Sequence, residues 1–166
     1  DAWRREGQPV LEVTADGFRI VRRLKNTGSE GWATDHYGHN YISIDEKPVG
    51  PEYVVKVGYE PKVAEQRGAV ETTVKGREVR VPGVLPEGKA VWTRLEGFGD
   101  SAKENVMRVE HDGAKVGVEI SSDRPIRRWV VFARRSAFCP EAFVELEVAP
   151  GERAEWTTVY RLYSVK

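Results

Sequence analysis

The chain holds one cysteine, one methionine and three histidines in 166 residues. With Cys139 alone, no intrachain disulfide can form, and the compartment is left open, the cytoplasm slightly favoured. The 26 basic residues balance 26 acidic ones for a net charge of zero. That balance argues against a large sequence-independent attraction to nucleic acid or to an anionic membrane. No apolar run approaches the roughly 20 residues of a membrane-spanning helix. The N-terminus, Asp1-Ala2-Trp3-Arg4-Arg5, has no apolar targeting core. It also begins without Met, as a processed product, an excised domain or the remainder of a longer chain would. Apolar residues at 40% and charged residues at 31% exclude a disordered chain. A chain of this length buries roughly 70% of its unfolded surface in one domain.

Helical periodicity is nearly absent too. Apolar residues recur at every second position: Phe18, Ile20 and Leu24, broken by Arg22; Val116, Val118 and Ile120; Val144, Leu146 and Val148; Trp156, Thr158, Tyr160 and Leu162. Such alternation marks strands with one wet and one dry face. Turn signals separate them, among them Ala15-Asp16-Gly17, Asn26-Thr27-Gly28, Lys75-Gly76-Arg77, His111-Asp112-Gly113 and Ala149-Pro150-Gly151. The reading is one all-β domain over residues 1–166, an antiparallel β-sandwich of about ten strands. Only Lys62 to Gly68 has weak helical character, and Asp100 to Asn105 is a helical turn or a loop.

Two histidines fall in Asp35-His36-Tyr37-Gly38-His39-Asn40-Tyr41. Imidazole suits proton transfer near neutral pH and also ligates metals. Residues three apart on a regular strand point to opposite faces, so His36 and His39 converge on a metal only if Gly38 hosts a bulge. His111, in a turn signature, is expected at the surface. Cys139-Pro140-Glu141 follows a strand; its cysteine reads as a small buried apolar residue, and its glutamate taken alone reads as a surface carboxylate. The basic residues from Arg124 to Arg135 are expected to pair across strands with Glu141, Glu145 and Glu147. Five Trp and six Tyr offer flat faces on which sugar rings stack, although core packing competes for Trp32, Trp92, Trp129 and Trp156. His36, Asn40 and Trp32 are the candidate substrate contacts.

These residues resemble the galactose mutarotase-like (aldose 1-epimerase) superfamily. Leu24-Lys25-Asn26-Thr27-Gly28-Ser29 followed by His39-Asn40-Tyr41 is similar to the family's asparagine strand and His-x-Tyr/Phe signature. Cys139-Pro140-Glu141 looks like its C-x-E-P segment. Val148-Ala149-Pro150-Gly151-Glu152 before a Trp/Tyr-rich last strand resembles its closing P-G-E. The likeness runs from about Val10 to the C-terminus and corresponds to the back half of the family. It implies a β-supersandwich in which Glu141 acts as base on an anomeric hydroxyl and His39 as acid on the ring oxygen, meeting at a sugar-sized cleft with no metal or organic cofactor. Ile42-Ser43-Ile44 and Ala142 depart from the family's Phe-Asn-Leu and proline. The implied ligand is a small-molecule sugar or a glycan, and a non-catalytic carbohydrate-binding module is the rival reading. A partial sandwich exposes strand edges, which predicts a homo-oligomer or a missing N-terminal half.

Overall fold

The computed structural model describes residues 5–166, so the reading of the first four residues lies outside it. The strands are β1 (Arg5–Val13), β2 (Gly17–Asn26) and β3 (Trp32–His36), then β4 (Tyr53–Val57), β5 (Lys62–Gly68), β6 (Thr73–Lys75) and β7 (Glu78–Arg80). After these come β8 (Ala90–Glu96), β9 (Val106–His111), β10 (Val116–Ser122) and β11 (Arg128–Arg134). Two long strands, β12 (Ala137–Val148) and β13 (Arg153–Ser164), close the chain. All pairings are antiparallel, in an eight-stranded sheet ordered β1-β2-β13-β10-β9-β4-β7-β6 and a five-stranded sheet ordered β3-β12-β11-β8-β5. The all-β sandwich expected from period-two patterning is the fold observed.

The alternating strands turn their apolar faces toward one another across the sandwich. Tyr53, Val55, Val109 and Ile120 of the larger sheet meet Val91, Leu95, Trp129, Val131 and Phe138 of the smaller one. Trp129 is fully buried, and truncating such a ring to Ala costs on the order of 3–5 kcal/mol. A second cluster gathers Val144, Leu146, Val148, Ala154 and Trp156, with Leu24 and Trp32 against it. Between the two clusters lies a polar band containing Arg22, His36, Asn40, Thr158 and Tyr160.

Two local expectations are corrected, and the choice left open over Asp100 to Asn105 resolves to a helical turn. Lys62–Gly68 is not helical: it is edge strand β5, paired with β8 and irregular between Val63 and Glu65, because cross-strand pairing outweighs a weak short-range propensity. Residues Ala102–Glu104 form one 3-10 turn, capped by Ser101, whose side chain accepts from the Lys103 N–H. His111 is buried rather than exposed. Its ring packs edge-on against Tyr53, and its Nδ1 accepts the Ala114 N–H at 3.1 Å. The turn signature was sound, but the imidazole folds inward and supplies the acceptor that the turn needs.

Candidate functional site

The segment between β3 and Ile42 is positioned by β12. Val144 to Val148 pair with β3, with Val144 opposite His36, and farther along Phe138 bridges Ile42. Five residues lie between these anchors on each side, so the interrupted register sets His39 across from Glu141, Asn40 across from Pro140 and Tyr37 across from Phe143. Phe138 exchanges both backbone hydrogen bonds with Ile42, so the residue two further on presents its backbone to the same edge. That residue is Pro140, which has no N–H to give. The ladder therefore opens, and the side-chain amide of Asn40 takes its place, donating to the Pro140 carbonyl at 2.7 Å. Asn40 Oδ1 in turn accepts from the Tyr160 hydroxyl at 2.7 Å.

Across this gap His39 Nδ1 meets Glu141 Oε1 at 2.5 Å. The Glu141 side chain is 7% exposed and that of His39 51%. Because Phe138, Val144, Leu146 and Val148 face the core, strand alternation puts Cys139, Glu141 and Phe143 on the outer face of the five-stranded sheet. Val130, the cross-strand partner of Glu141, is buried beside it. The Cys139 thiol donates to the same Oε1 at 3.3 Å. Burial, and then the Glu141 charge beside it, push that thiol well above its ordinary pKa, so it keeps its proton. The carboxylate is thus held on Oε1 by two donors, leaving Oε2 able to accept from a ligand.

Three rings frame His39. Tyr41 stacks along it at 5.4 Å and Tyr37 meets it edge-on at 5.0 Å. Tyr37 also stacks on Phe143 at 4.1 Å, and the Arg128 guanidinium covers the other side of Phe143 at 3.9 Å. Tyr41 is 59% exposed and Tyr37 39%. Neither tyrosine is among the substrate contacts expected from sequence, although Tyr41 closes the His-x-Tyr motif and Tyr37-x-His39-x-Tyr41 carries the period-two signal that places all three on one side.

The other expected site residues lie elsewhere. His36 turns to the opposite face, edge-on to Trp156 at 4.8 Å, on a cavity between the sheets that it lines with Asn40. Trp32 begins β3 and packs on the second apolar cluster, roughly 13 Å from His36 at strand rise. His36 and His39 therefore do not form a joint metal site. The ligand atoms that do approach one another belong to His39, Cys139 and Glu141, within 4.8 Å. The pair itself is closed: its facing atoms touch, where the sequence reading expected a gap the size of a sugar.

The expected ion pairing of the basic run is corrected as well. Arg127 reaches Glu145 at 3.6 Å, but Arg128 approaches Asp35 at 3.8 Å. Arg134 covers Phe132, and Arg135 donates to the Leu85 carbonyl. The register sets Arg128 opposite Phe143 and Glu141 opposite Val130, which keeps these charges out of line with one another.

No family model matches the sequence, and no curated protein matches it. Solved structures do. A putative aldose 1-epimerase from Escherichia coli K12 superposes with a TM-score of 0.66 at 14% identity, over 98% of this chain and 62% of its own. A galactose mutarotase-like protein from Lactobacillus casei ATCC 334 gives 0.63 at 8% identity, over 97% and 64%. Another from Clostridium acetobutylicum gives 0.64 at 11%, over 98% and 58%. The chain thus spans less than two thirds of the length of each of these structures, and across nearly all of its own length it has the galactose mutarotase-like fold.

Proposed function

We propose that the protein is a sugar-acting member of this fold, an aldose 1-epimerase-like isomerase that interconverts anomers by acid/base ring opening. The direct contact of His39 with Glu141 at 2.5 Å carries the reading. Fold likeness to aldose 1-epimerase and mutarotase-like structures supports it.

The chemistry follows from which atoms remain free. With Nδ1 engaged by Oε1, the imidazole presents Nε2 and the carboxylate presents Oε2. Oε2 takes the proton of the anomeric hydroxyl. As C1=O1 forms, the C1–O5 bond breaks, and O5 receives a proton from Nε2 of the imidazolium. The contact between Nδ1 and Oε1 fixes the orientation of the ring before transfer. Rotation about C1–C2 and the same steps in reverse close the ring with the other anomeric configuration. Glu141 and His39 end as they began, and no other reactant is consumed. Tyr37 and Tyr41 supply faces for the sugar C–H groups, and Asn40 positions the pair through Pro140. The test is anomer interconversion followed by NMR across common hexoses and sugar phosphates. A rate above the spontaneous one supports the proposal, and none on any sugar overturns it.

A non-catalytic carbohydrate-binding module is the second reading, favoured by the closed pair and by the two exposed tyrosines beside it. It predicts glycan binding that depends on Tyr41 and is indifferent to Glu141→Gln.

A further inference from the structure

The polar band between the two apolar clusters encloses a cavity of about 30 Å³, enough for one water-sized occupant. It lies on the inner face of β12, marked by Ala142 and Val144, opposite the side that carries Glu141. Polar side chains reach it from three paired strands by register: Arg22 of β2 is paired with Trp156 of β13, and Thr158 of β13 with Ser122 of β10. Arg22 Nη1 donates to Thr158 Oγ1 at 3.1 Å. Trp156 Nε1 and Ser122 Oγ are buried with no hydrogen-bond partner among the described residues, and Trp156 is 4% exposed.

Two of the groups that line this cavity offer no acceptor at all. The indole N–H can only donate, and the guanidinium can only donate. No carboxylate lines the cavity, and Arg22 has no ion-pair partner among the described residues. The acceptor of Asn40 is already taken by Tyr160. Burial, with the Arg22 charge second, drops His36 to about 4, so the ring beside the guanidinium is neutral near pH 7 and adds no second charge. A half-buried cation next to an orphaned N–H and an orphaned O–H calls for an acceptor with negative charge.

We propose that this cavity is a binding site for a single monatomic anion, chloride in ordinary solution, held by Arg22, the Trp156 indole N–H and the Ser122 hydroxyl. A monatomic ion is the anion that a cavity of this size takes without rearrangement. The ion neutralises Arg22 and ties β2, β10 and β13 together beneath the segment that carries His39.

The experiment uses bromide as the probe. Crystals grown in bromide are expected to show one anomalous peak within hydrogen-bond distance of both the Arg22 guanidinium and Trp156 Nε1. At equal ionic strength, bromide or chloride should raise the melting temperature over gluconate, which is too large to enter. A tenfold excess over Kd gives roughly 3–6 °C for a domain of this size. Trp156→Phe keeps the ring and removes the donor, and should abolish most of that difference; Arg22→Met should abolish all of it, and if that variant fails to fold, Trp156→Phe carries the test. Water alone in the cavity, with no anomalous peak and no halide-selective stabilisation, overturns the proposal.

Discussion

Asn26 is fully buried and donates through Nδ2 to the Val148 carbonyl at 3.0 Å, joining the end of β2 to the end of β12. The same nitrogen donates to the Glu30 carbonyl at 2.8 Å, and Oδ1 accepts the Gly28 N–H at 3.0 Å. Its backbone N–H donates to Glu152, and its carbonyl accepts from Gly151, whose φ of +80° is one that glycine adopts freely. Two of the motifs that carried the family resemblance are thus one physical clamp. Asn26→Ala leaves buried carbonyls and an N–H unpaired, and should destabilise the protein by about 2–4 kcal/mol. Urea denaturation measures this; a loss below about 0.5 kcal/mol, the ordinary range for a surface change, would contradict it.

Acid should weaken the fold through His36. Burial first, and the Arg22 charge second, lower its pKa from 6.5 to about 4. Between those values the unfolded chain binds a proton that the folded chain refuses, so the His36 contribution is fully present above pH 6.5 and lost as pH falls toward 4. His36→Gln should flatten the stability profile in that window, as read by urea midpoints at a series of pH values. An unchanged slope in the variant would assign the acid sensitivity to other groups.

Cys139 should be chemically inert in the folded protein. It is fully buried, and both burial and the Glu141 carboxylate oppose its ionisation. Maleimide labelling followed by mass spectrometry should show modification only in denaturant. Rapid labelling of the native protein would mean that the outer face over Glu141 opens readily.

Much of this arrangement was legible in the chain, and what was not shares a cause. Alternation revealed the sandwich because each strand carries its own dry face. The break at Arg22 was equally visible, and it marks where the core gives way to the polar cavity. The contact of His39 with Glu141 needs the pairing of β3 with β12, a relation across a hundred residues that no local pattern encodes; motif order supplied only the identities. The inward turn of His111 and the strand character of Lys62–Gly68 were missed for that reason too, since Tyr53 and β8, far away in sequence, determine them.

Self-association is expected through β1. This nine-residue strand lies at the edge of the larger sheet, and Val10, Leu11 and Val13 are exposed on it, Val13 at 81%. A long edge with apolar side chains is a template for pairing with another strand. Light scattering at micromolar concentration should report a dimer or larger species, and Leu11→Lys with Val13→Lys should shift it to monomer. A monomeric wild-type chain would contradict this.

The most direct measurement is the anomer exchange rate, by magnetisation-transfer NMR, for wild type, Glu141→Gln, His39→Gln and the double variant on the best sugar found. If the two side chains work as one acid/base unit, each single change lowers the rate by roughly 10²–10⁴-fold, and the double variant is scarcely slower than either single one. A Glu141→Gln protein that exchanges anomers at the wild-type rate would contradict the account.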